Sequence, residues 1–171
     1  MLLSPANETF AEYSRSKILS VDQIERIVGE KKKQGYSIAT LNGSFDLLHA
    51  GHLEMIYQAS LQADVLIVAL NSDASIKKYK SPLRPIISLE NRLKMMAALE
   101  MVDYVTFFEE TDPIALLKKI RPDVHVNGSE YGQDCIESQV VKDCGGRIHI
   151  VSLVPGLSTS NIIEKIKETC V

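Results

Sequence analysis

Apolar residues recur along the chain in two spacings that alternate. Helical stretches place them three or four residues apart, as in Val21, Ile24 and Val28, whereas the stretch Val65–Leu70 is continuously apolar. A continuous run of this length indicates a strand that is buried on both faces of a parallel sheet. The pattern predicts helices over residues 20–34, 51–62, 88–101, 113–121, 134–143 and 159–166, and strands over residues 37–41, 63–70, 104–108, 124–126 and 147–153.

Capping residues support several of these boundaries. Ser20 and Gln23 fit a capping box, Gly35 fits a helix stop, and Asp112 with Pro113 fits a helix start. Residues 76–85 carry four cations and two prolines, so we predict a loop there. Residues 1–19 show weak periodicity and are predicted to form an N-terminal arm ahead of one domain over residues 20–171.

Strands alternate with helices after Gly35, and this alternation predicts an α/β fold with a mostly parallel sheet and flanking helices. Ligands of such sheets bind beyond the carboxyl ends of the strands. The rule therefore predicts that ligands contact residues 42–52, 71–84, 127–131 and 155–161.

Composition narrows the functional classes. A length of 171 residues suits one core, and 45% hydrophobic with 24% charged residues is ordinary for a globular domain. The net charge of -3 argues against a surface that coats nucleic acid. No apolar run approaches the roughly 18 residues of a membrane span, and residues 1–20 lack the layout of a signal peptide. We therefore expect a cytoplasmic protein with neither nucleic-acid nor membrane partners.

The turn after the first predicted strand carries the clearest chemistry, in the segment Leu41–His52. Gly51 would allow the backbone to approach a phosphate, and a helix N-terminus offers free N–H groups to an anion. His49 and His52 are three residues apart, which places both imidazoles on one side of the first helical turn. The spacing predicts phosphate binding. Two alternatives stay open at this point: the histidines could cap the helix, or they could bind zinc, although a third zinc ligand is missing at any obvious spacing.

The chain lacks the Walker pattern G-x-x-x-x-G-K-[ST] and the dinucleotide pattern G-x-G-x-x-G. Instead, Gly43-Ser44-Phe45-Asp46 followed by His-x-Gly-His resembles the cytidylyltransferase-type nucleotidyltransferases. The resemblance extends from about Thr40 to Ile166. It implies a Rossmann-like single domain with an HxGH motif.

Further stretches resemble the sugar-phosphate adenylyltransferases of lipopolysaccharide heptose synthesis, above all the adenylyltransferase domain of the bifunctional ADP-heptose enzymes. These stretches are Ala69–Asp73, Arg84-Pro85, Glu90–Arg92, Ala98–Val105, Pro122-Asp123, Gly128-x-x-Tyr131 and Ser158-Thr159-x-Asn161-Ile162-Ile163. One stretch departs from that pattern. The heptose enzymes commonly read Lys-Gly-Gly-Asp-Tyr where this chain has Asn127–Tyr131, so a cation is replaced and the acid is one methylene longer.

The resemblance implies roles for individual residues. His49 and His52 would contact the nucleotide phosphates, and a lysine in the loop after the second strand would contact the reacting phosphates. Lys80 fits that position better than Lys77 or Lys78, because of its spacing to Arg84-Pro85. The catalytic set is then His49, His52 and Lys80. The implied nucleotide-binding set is Gly43, Ser44, Phe45, Asp46, Gly51, Asn71, Asp73, Arg92, Gly128, Glu130, Tyr131, Ser158 and Thr159.

The implied reaction joins ATP and D-glycero-β-D-manno-heptose 1-phosphate to give ADP-heptose and pyrophosphate. Magnesium is expected to arrive with ATP, since the sequence shows no dedicated carboxylate cage for a metal. A separate sugar kinase would supply the 1-phosphate, and a homodimer is left open. The alternatives are a cytidylyltransferase acting on glycerol 3-phosphate or a similar alcohol phosphate, a pantetheine-phosphate or mononucleotide adenylyltransferase, and a non-catalytic nucleotide-binding module.

Overall fold

A five-stranded parallel sheet forms the centre of the molecule. The computed structural model describes residues 8–152 and 154–170. The strands are β1 (Ile38–Gly43), β2 (Val65–Asn71), β3 (Tyr104–Phe108), β4 (Val124–Gly128) and β5 (Arg147–Val151), in the spatial order β3-β2-β1-β4-β5. The helices are α1 (Phe10–Lys17), α2 (Val21–Lys33), α3 (Ala50–Ser60), α4 (Asp73–Tyr79), α5 (Leu89–Ala97), α6 (Ile114–Ile120), α7 (Ser138–Asp143) and α8 (Thr159–Thr169). The predicted α/β architecture is confirmed.

Both faces of β2 are covered, as its apolar run predicts. All seven of its residues are buried. Leu66, Val68 and Leu70 pack into one apolar cluster, whereas the alternate residues Val65, Ile67 and Ala69 pack into a second cluster on the other face. Successive side chains of a strand point to opposite faces, so a strand between two layers needs an unbroken apolar sequence.

The strand order changes direction at β1. From β1 the chain proceeds to β2 and β3 on one side, and β4 and β5 then lie on the other side. The carboxyl ends of β1 and β4 are therefore neighbours at the switch point of the sheet, which is where open α/β sheets bind their ligands.

Several predicted helix starts are confirmed. Ser20 and Gln23 form the capping box of α2, and Gly35 follows that helix with a φ of 86°. The Ser158 Oγ accepts a hydrogen bond from the backbone N–H of Asn161 at the start of α8. Helix α6 begins at Ile114, one residue later than the sequence predicts, and the Asp112 carboxylate accepts a hydrogen bond from the N–H of Ile114.

Three predicted elements were wrong in extent. Residues 76–85 were expected to form a loop, but residues 73–79 form α4, because Ser72 caps this helix and Ile76 is buried against the sheet. The helix expected over residues 134–143 begins only at Ser138. The helix expected to reach residue 101 ends at Ala97.

The first described helix lies against the domain. The Lys17 ammonium donates hydrogen bonds to the backbone carbonyls of Leu99 and Val102, and the N–H of Leu19 donates to the carbonyl of Val105. Residues 1–7 of the expected arm lie outside the described residues, and the division at residue 19 stays a prediction. Leu153, the last residue of the expected fifth strand, also lies outside them.

In the part of the chain that the structure describes, no helix is both long and apolar enough to cross a bilayer.

Candidate functional site

Three adjoining cavities open at the carboxyl ends of β1 and β4. The amide cavity, of about 350 Å³, is bordered by Asn42, Asn71, Tyr79, Asp112, Asn127 and Glu137. The central cavity, of about 160 Å³, is bordered by Phe45, His52, Gly128, Glu130 and Tyr131. The histidine cavity, of about 220 Å³, is bordered by His49, Gly51, Leu157, Ser158 and Thr159. The structure therefore brings most of the sequence-predicted residues around one cleft.

Lys80 borders all three cavities. It follows α4 directly, and its Nζ donates a hydrogen bond to the Ser44 Oγ at 2.8 Å, on the turn after β1. Lys77 and Lys78, the other two candidates, are exposed on α4 and border none of the three. The position of Lys80 agrees with its selection from the sequence.

His49 is the N-cap of α3 and also faces the histidine cavity. Its Nδ1 accepts a hydrogen bond from the backbone N–H of His52 at 3.4 Å, so the capping alternative describes part of its role. Because Nδ1 accepts, the proton of the neutral ring resides on Nε2. That Nε2 is buried and has no hydrogen-bond partner among the residues that the structure describes. One edge of His49 thus fixes the helix start, while the other is free to donate to a ligand.

The ring of His52 is held between two aromatic neighbours. It stacks on His49 with the ring centroids 3.7 Å apart, and it meets Phe45 edge to face at 5.1 Å. Phe45 has a φ of 44°, a left-handed conformation that is uncommon for an aromatic residue. The turn after β1 therefore adopts an unfavourable backbone angle that places the Phe45 ring against His52.

Both histidines are neutral near pH 7. Burial, together with the smaller effects of the nearby His49 and Lys80, lowers the pKa of His52 to about 4. Burial also lowers the pKa of His49. The neutral ring of His49 therefore offers one N–H donor to an anion, the ring of His52 is hydrogen-bonded to the backbone of Leu47, and Lys80 supplies the positive charge.

Two glycines leave room for neighbouring side chains. A Cβ at Gly51 would lie 3.1 Å from the ring of His49 and 3.3 Å from the Cβ of Leu157. A Cβ at Gly128 would collide with the carboxylate of Glu130, which folds over this glycine. A Cβ at Gly51 would displace these neighbours by a few tenths of an ångström, whereas the exposed side chain of Glu130 can move away from a Cβ at Gly128.

The start of α8 forms another wall of the histidine cavity. Ser158 and Thr159 border this cavity opposite His49 and His52. Since α8 is 11 residues long, its first turn presents several N–H groups without helical partners to the cleft. The cavity is therefore bounded by two helix starts, those of α3 and α8.

Asp46 lies beneath the cleft and borders none of its cavities. Its side chain is fully buried, forms a 2.6 Å ion pair with the Arg84 Nε, and accepts hydrogen bonds from the N–H groups of Ile86 and Ile87. Burial alone would raise the pKa of Asp46, but the two backbone donors and Arg84 outweigh it, so the pKa is lowered. Asp46 holds the segment that follows Lys80.

Arg92 is likewise internal, with 1% of its surface exposed. Its guanidinium donates to the carbonyls of Ser44, Asn71 and Ile87 and pairs with the Asp73 carboxylate at 2.7 Å. It thereby joins the carboxyl ends of β1 and β2. The resemblance implied that Arg92 and Asp73 bind nucleotide, but neither borders the three cavities.

The amide cavity is lined by several residues that were not predicted individually: Asn42, Tyr79, Asp112, Asn127 and Glu137. Asn42, Tyr79 and Asn127 lie in segments that the strand-end rule selected, whereas Asp112 and Glu137 lie outside them. Glu137 lies nine residues after β4, and nothing in its local sequence distinguishes it from a surface glutamate.

Among residues 8–152 and 154–170, no group of three or more His, Cys, Asp or Glu side chains is placed to hold a metal ion. Glu130 brings a single carboxylate to the central and histidine cavities. One carboxylate suits a magnesium ion that retains water and phosphate oxygens as its other ligands.

Comparison with known sequences identifies the family. The sequence profile described as cytidylyltransferase-like matches residues 40–165, which include every wall of the cleft. The chain belongs to the cytidylyltransferase-like family. The chain is therefore a nucleotidyltransferase.

Individual relatives agree with this result. The chain is 42% identical over 152 residues to the bifunctional protein HldE of Geobacter sulfurreducens, and 41% identical over 157 residues to that of Ectopseudomonas mendocina. These matches cover 88% and 91% of the chain, but only 31% and 33% of the relatives. The chain thus spans about a third of the length of these longer proteins. The resemblance to one domain of the bifunctional enzymes is confirmed.

Solved structures support the fold alone. A lipopolysaccharide core biosynthesis protein from Thermoplasma volcanium superposes with a TM-score of 0.57 at 24% identity, over 70% of this chain and 98% of that one. A pantoate-beta-alanine ligase from Francisella tularensis superposes with a TM-score of 0.60 at 19% identity, over 89% of this chain and 79% of the ligase. The Rossmann-like prediction is confirmed.

Proposed function

We propose that the chain transfers AMP from ATP to D-glycero-β-D-manno-heptose 1-phosphate and releases pyrophosphate. The observation that carries this proposal is the position of Lys80, which borders the histidine, central and amide cavities at once. A cation at such a junction can contact the phosphates of two substrates that enter from different sides. The similarity to the HldE proteins supports the choice of acceptor.

The nucleotide phosphates fit the histidine and central cavities. His49 offers a neutral N–H donor, the ring of His52 packs beside it, and the starts of α3 and α8 offer backbone N–H groups. Such fixed donors stabilise the charge that develops on the reacting phosphate without reorganising during the reaction. Lys80 supplies the full positive charge that the imidazoles lack.

The chemistry is an in-line substitution at the α-phosphorus. A phosphate oxygen of the sugar 1-phosphate forms the new P–O bond, the bond from the α-phosphorus to the oxygen that bridges to the β-phosphorus breaks, and that oxygen leaves with pyrophosphate. The attacking oxygen is already anionic near pH 7, so no general base is required. The protein contributes positioning and charge stabilisation.

We further propose that magnesium enters with ATP. The carboxylate of Glu130 lies where it could contact a phosphate-bound ion directly or through water. A bound magnesium ion would neutralise charge on the triphosphate and on the departing pyrophosphate.

The proposed reaction uses a sugar that is already phosphorylated, so another activity must make the sugar 1-phosphate. Phosphorylation of a free sugar needs a group that accepts a hydroxyl proton, and the proposed transfer to a phosphate oxygen includes no such group. We propose that a sugar kinase activity distinct from this site provides the 1-phosphate.

A second candidate is a cytidylyltransferase acting on glycerol 3-phosphate, because the family itself is described as cytidylyltransferase-like. Turnover with ATP and CTP, each paired with heptose 1-phosphate and with glycerol 3-phosphate, separates the two. We expect pyrophosphate release to be fastest with ATP and heptose 1-phosphate. Fastest release with CTP and glycerol 3-phosphate would replace the proposal, and no release in any pairing would favour a non-catalytic nucleotide-binding module.

A further inference from the structure

Two buried hydrogen-bond acceptors border the amide cavity. The Oδ1 of Asn42, near the carboxyl end of β1, is buried and has no hydrogen-bond partner among the described residues. Glu137, ahead of α7, is only 5% exposed and borders the same cavity. A buried polar atom without a partner is costly, so Asn42 favours a ligand that supplies a donor.

The hydrogen-bond partners of Glu137 are neutral groups. Its Oε2 accepts a hydrogen bond from the Asn127 Nδ2 at 3.3 Å, and its side chain is also hydrogen-bonded to the Cys135 thiol. None of the ion pairs between described residues includes Glu137. A carboxylate has about four acceptor sites, so these two contacts leave capacity for further donors.

The two acceptors come from different elements of the fold. Asn42 is the penultimate residue of β1, whereas Glu137 lies between β4 and α7, so a ligand that contacts both must carry more than one donor. Among the described residues, the only cation that borders this cavity is Lys80, at its junction with the two cavities assigned to the nucleotide. The ligand therefore combines one anionic end with several hydroxyl groups.

We infer that the amide cavity binds the hydroxyl groups of the acceptor sugar, and that Glu137 and Asn42 determine specificity for a polyhydroxylated phosphate. This inference rests on the proposed transfer to a sugar 1-phosphate. The acceptor's phosphate lies at Lys80, facing the nucleotide, and its hydroxyls donate to the Glu137 carboxylate and the Asn42 carbonyl oxygen. Glu137 makes no contact with the reacting atoms and acts through acceptor binding alone.

The test measures binding without ATP, by calorimetry, for the wild type and for Glu137→Gln. The probes are heptose 1-phosphate, methyl phosphate as a phosphate without further hydroxyls, and O-phosphoethanolamine as a phosphate with an ammonium group. We expect Glu137→Gln to weaken heptose 1-phosphate binding about tenfold, the scale of a hydrogen bond to a charged group, and to leave methyl phosphate binding unchanged. Glu168→Gln, at an exposed position of α8, is the matched control and should bind all three as the wild type does.

Asn42→Ala keeps the test decisive should Glu137→Gln fold poorly, because it removes the second acceptor without altering a charge. It should show the same selective loss. In steady-state kinetics both variants should raise the KM for heptose 1-phosphate and leave the KM for ATP within twofold. A raised KM for ATP alone, equal losses for methyl phosphate, or tighter binding of O-phosphoethanolamine than of the sugar phosphate would overturn the inference.

The binding assay also separates this inference from the proposed function. A wild-type protein that binds heptose 1-phosphate in a Glu137-dependent manner, yet releases no pyrophosphate, would refute the transfer while the assignment of the cavity stood. If Glu137→Gln and Asn42→Ala release pyrophosphate as fast as the wild type at a low concentration of sugar phosphate, the transfer stands and the assignment of the cavity is refuted.

Discussion

The imidazole of His49 accepts a hydrogen bond from the backbone N–H of His52, and the two rings stack with centroids 3.7 Å apart. This contact links the helix cap to the proposed chemistry, because it fixes His49, which borders the histidine cavity, in the tautomer whose Nε2 carries the proton. The first turn of α3 thereby holds both imidazoles in place before any ligand binds.

Substitutions can distinguish the catalytic role of the histidines from the role of His49 as the N-cap of α3. We predict that His49→Ala and His52→Ala each lower kcat by roughly 10²-fold, the scale of losing one transition-state donor. His49→Asn is the informative companion, because asparagine is a good N-cap but lacks the Nε2 donor. It should retain the thermal stability of the wild type and still lose turnover. Near-normal turnover in His49→Asn and His52→Ala would place the reaction elsewhere.

Substitution of Lys80 should lower kcat far more than substitution of its neighbour Lys78. Lys80 reaches the Ser44 Oγ and borders all three cavities, whereas Lys78 is exposed on α4. We predict that Lys80→Met lowers kcat about 10²-fold or more, while Lys78→Met stays within twofold. Pyrophosphate release at saturating substrates measures both. Similar activities for the two variants would contradict the assigned role of Lys80.

Asp46 is predicted to stabilise the fold. Asp46→Ala removes the partner of Arg84 and leaves the N–H groups of Ile86 and Ile87 without their acceptor. Breaking a buried ion pair by removing one partner costs about 3 kcal/mol or more, so the free energy of unfolding in urea should fall by that amount. Asp22→Ala breaks the exposed pair with Lys119 and should change the unfolding free energy little. Equal effects would show that Asp46 has no special structural role.

The buried His125 should make stability depend on pH. Burial lowers its pKa to about 3, and Thr40 is its hydrogen-bond partner. An unfolded histidine takes up a proton near pH 6.5, whereas the folded His125 stays neutral until the pH approaches 3. Protonation therefore favours the unfolded state, so the free energy of unfolding is highest above pH 6.5 and decreases as the pH falls toward 3. Between pH 7.5 and 5 we expect the Tm of the wild type to fall by roughly 5 °C more than that of His125→Asn. Parallel Tm curves for the two proteins would show that His125 does not titrate in this way.

The sequence predicted the sheet and the histidine pair well, because both depend on local pattern. The apolar run of β2 requires burial on both faces, and the spacing of His49 and His52 requires a shared side of one helical turn. It failed over residues 73–79, where prolines further along suggested a loop and the cap at Ser72 was overlooked. The internal position of Arg92 depends on backbone carbonyls from two strands, and that of Glu137 depends on packing beside β4. Neither arrangement leaves a local signal.

The central claim is AMP transfer to a sugar 1-phosphate, and ATP labelled at the α-phosphorus tests it most directly. The purified chain is incubated with this ATP, magnesium and heptose 1-phosphate, and the products are separated by chromatography. Free heptose in place of the 1-phosphate serves as the matched control. The account predicts that label moves into a sugar nucleotide, with one pyrophosphate released per product and no conversion of free heptose. Label that remains in ATP, or that appears as ADP when free heptose is supplied, would contradict it.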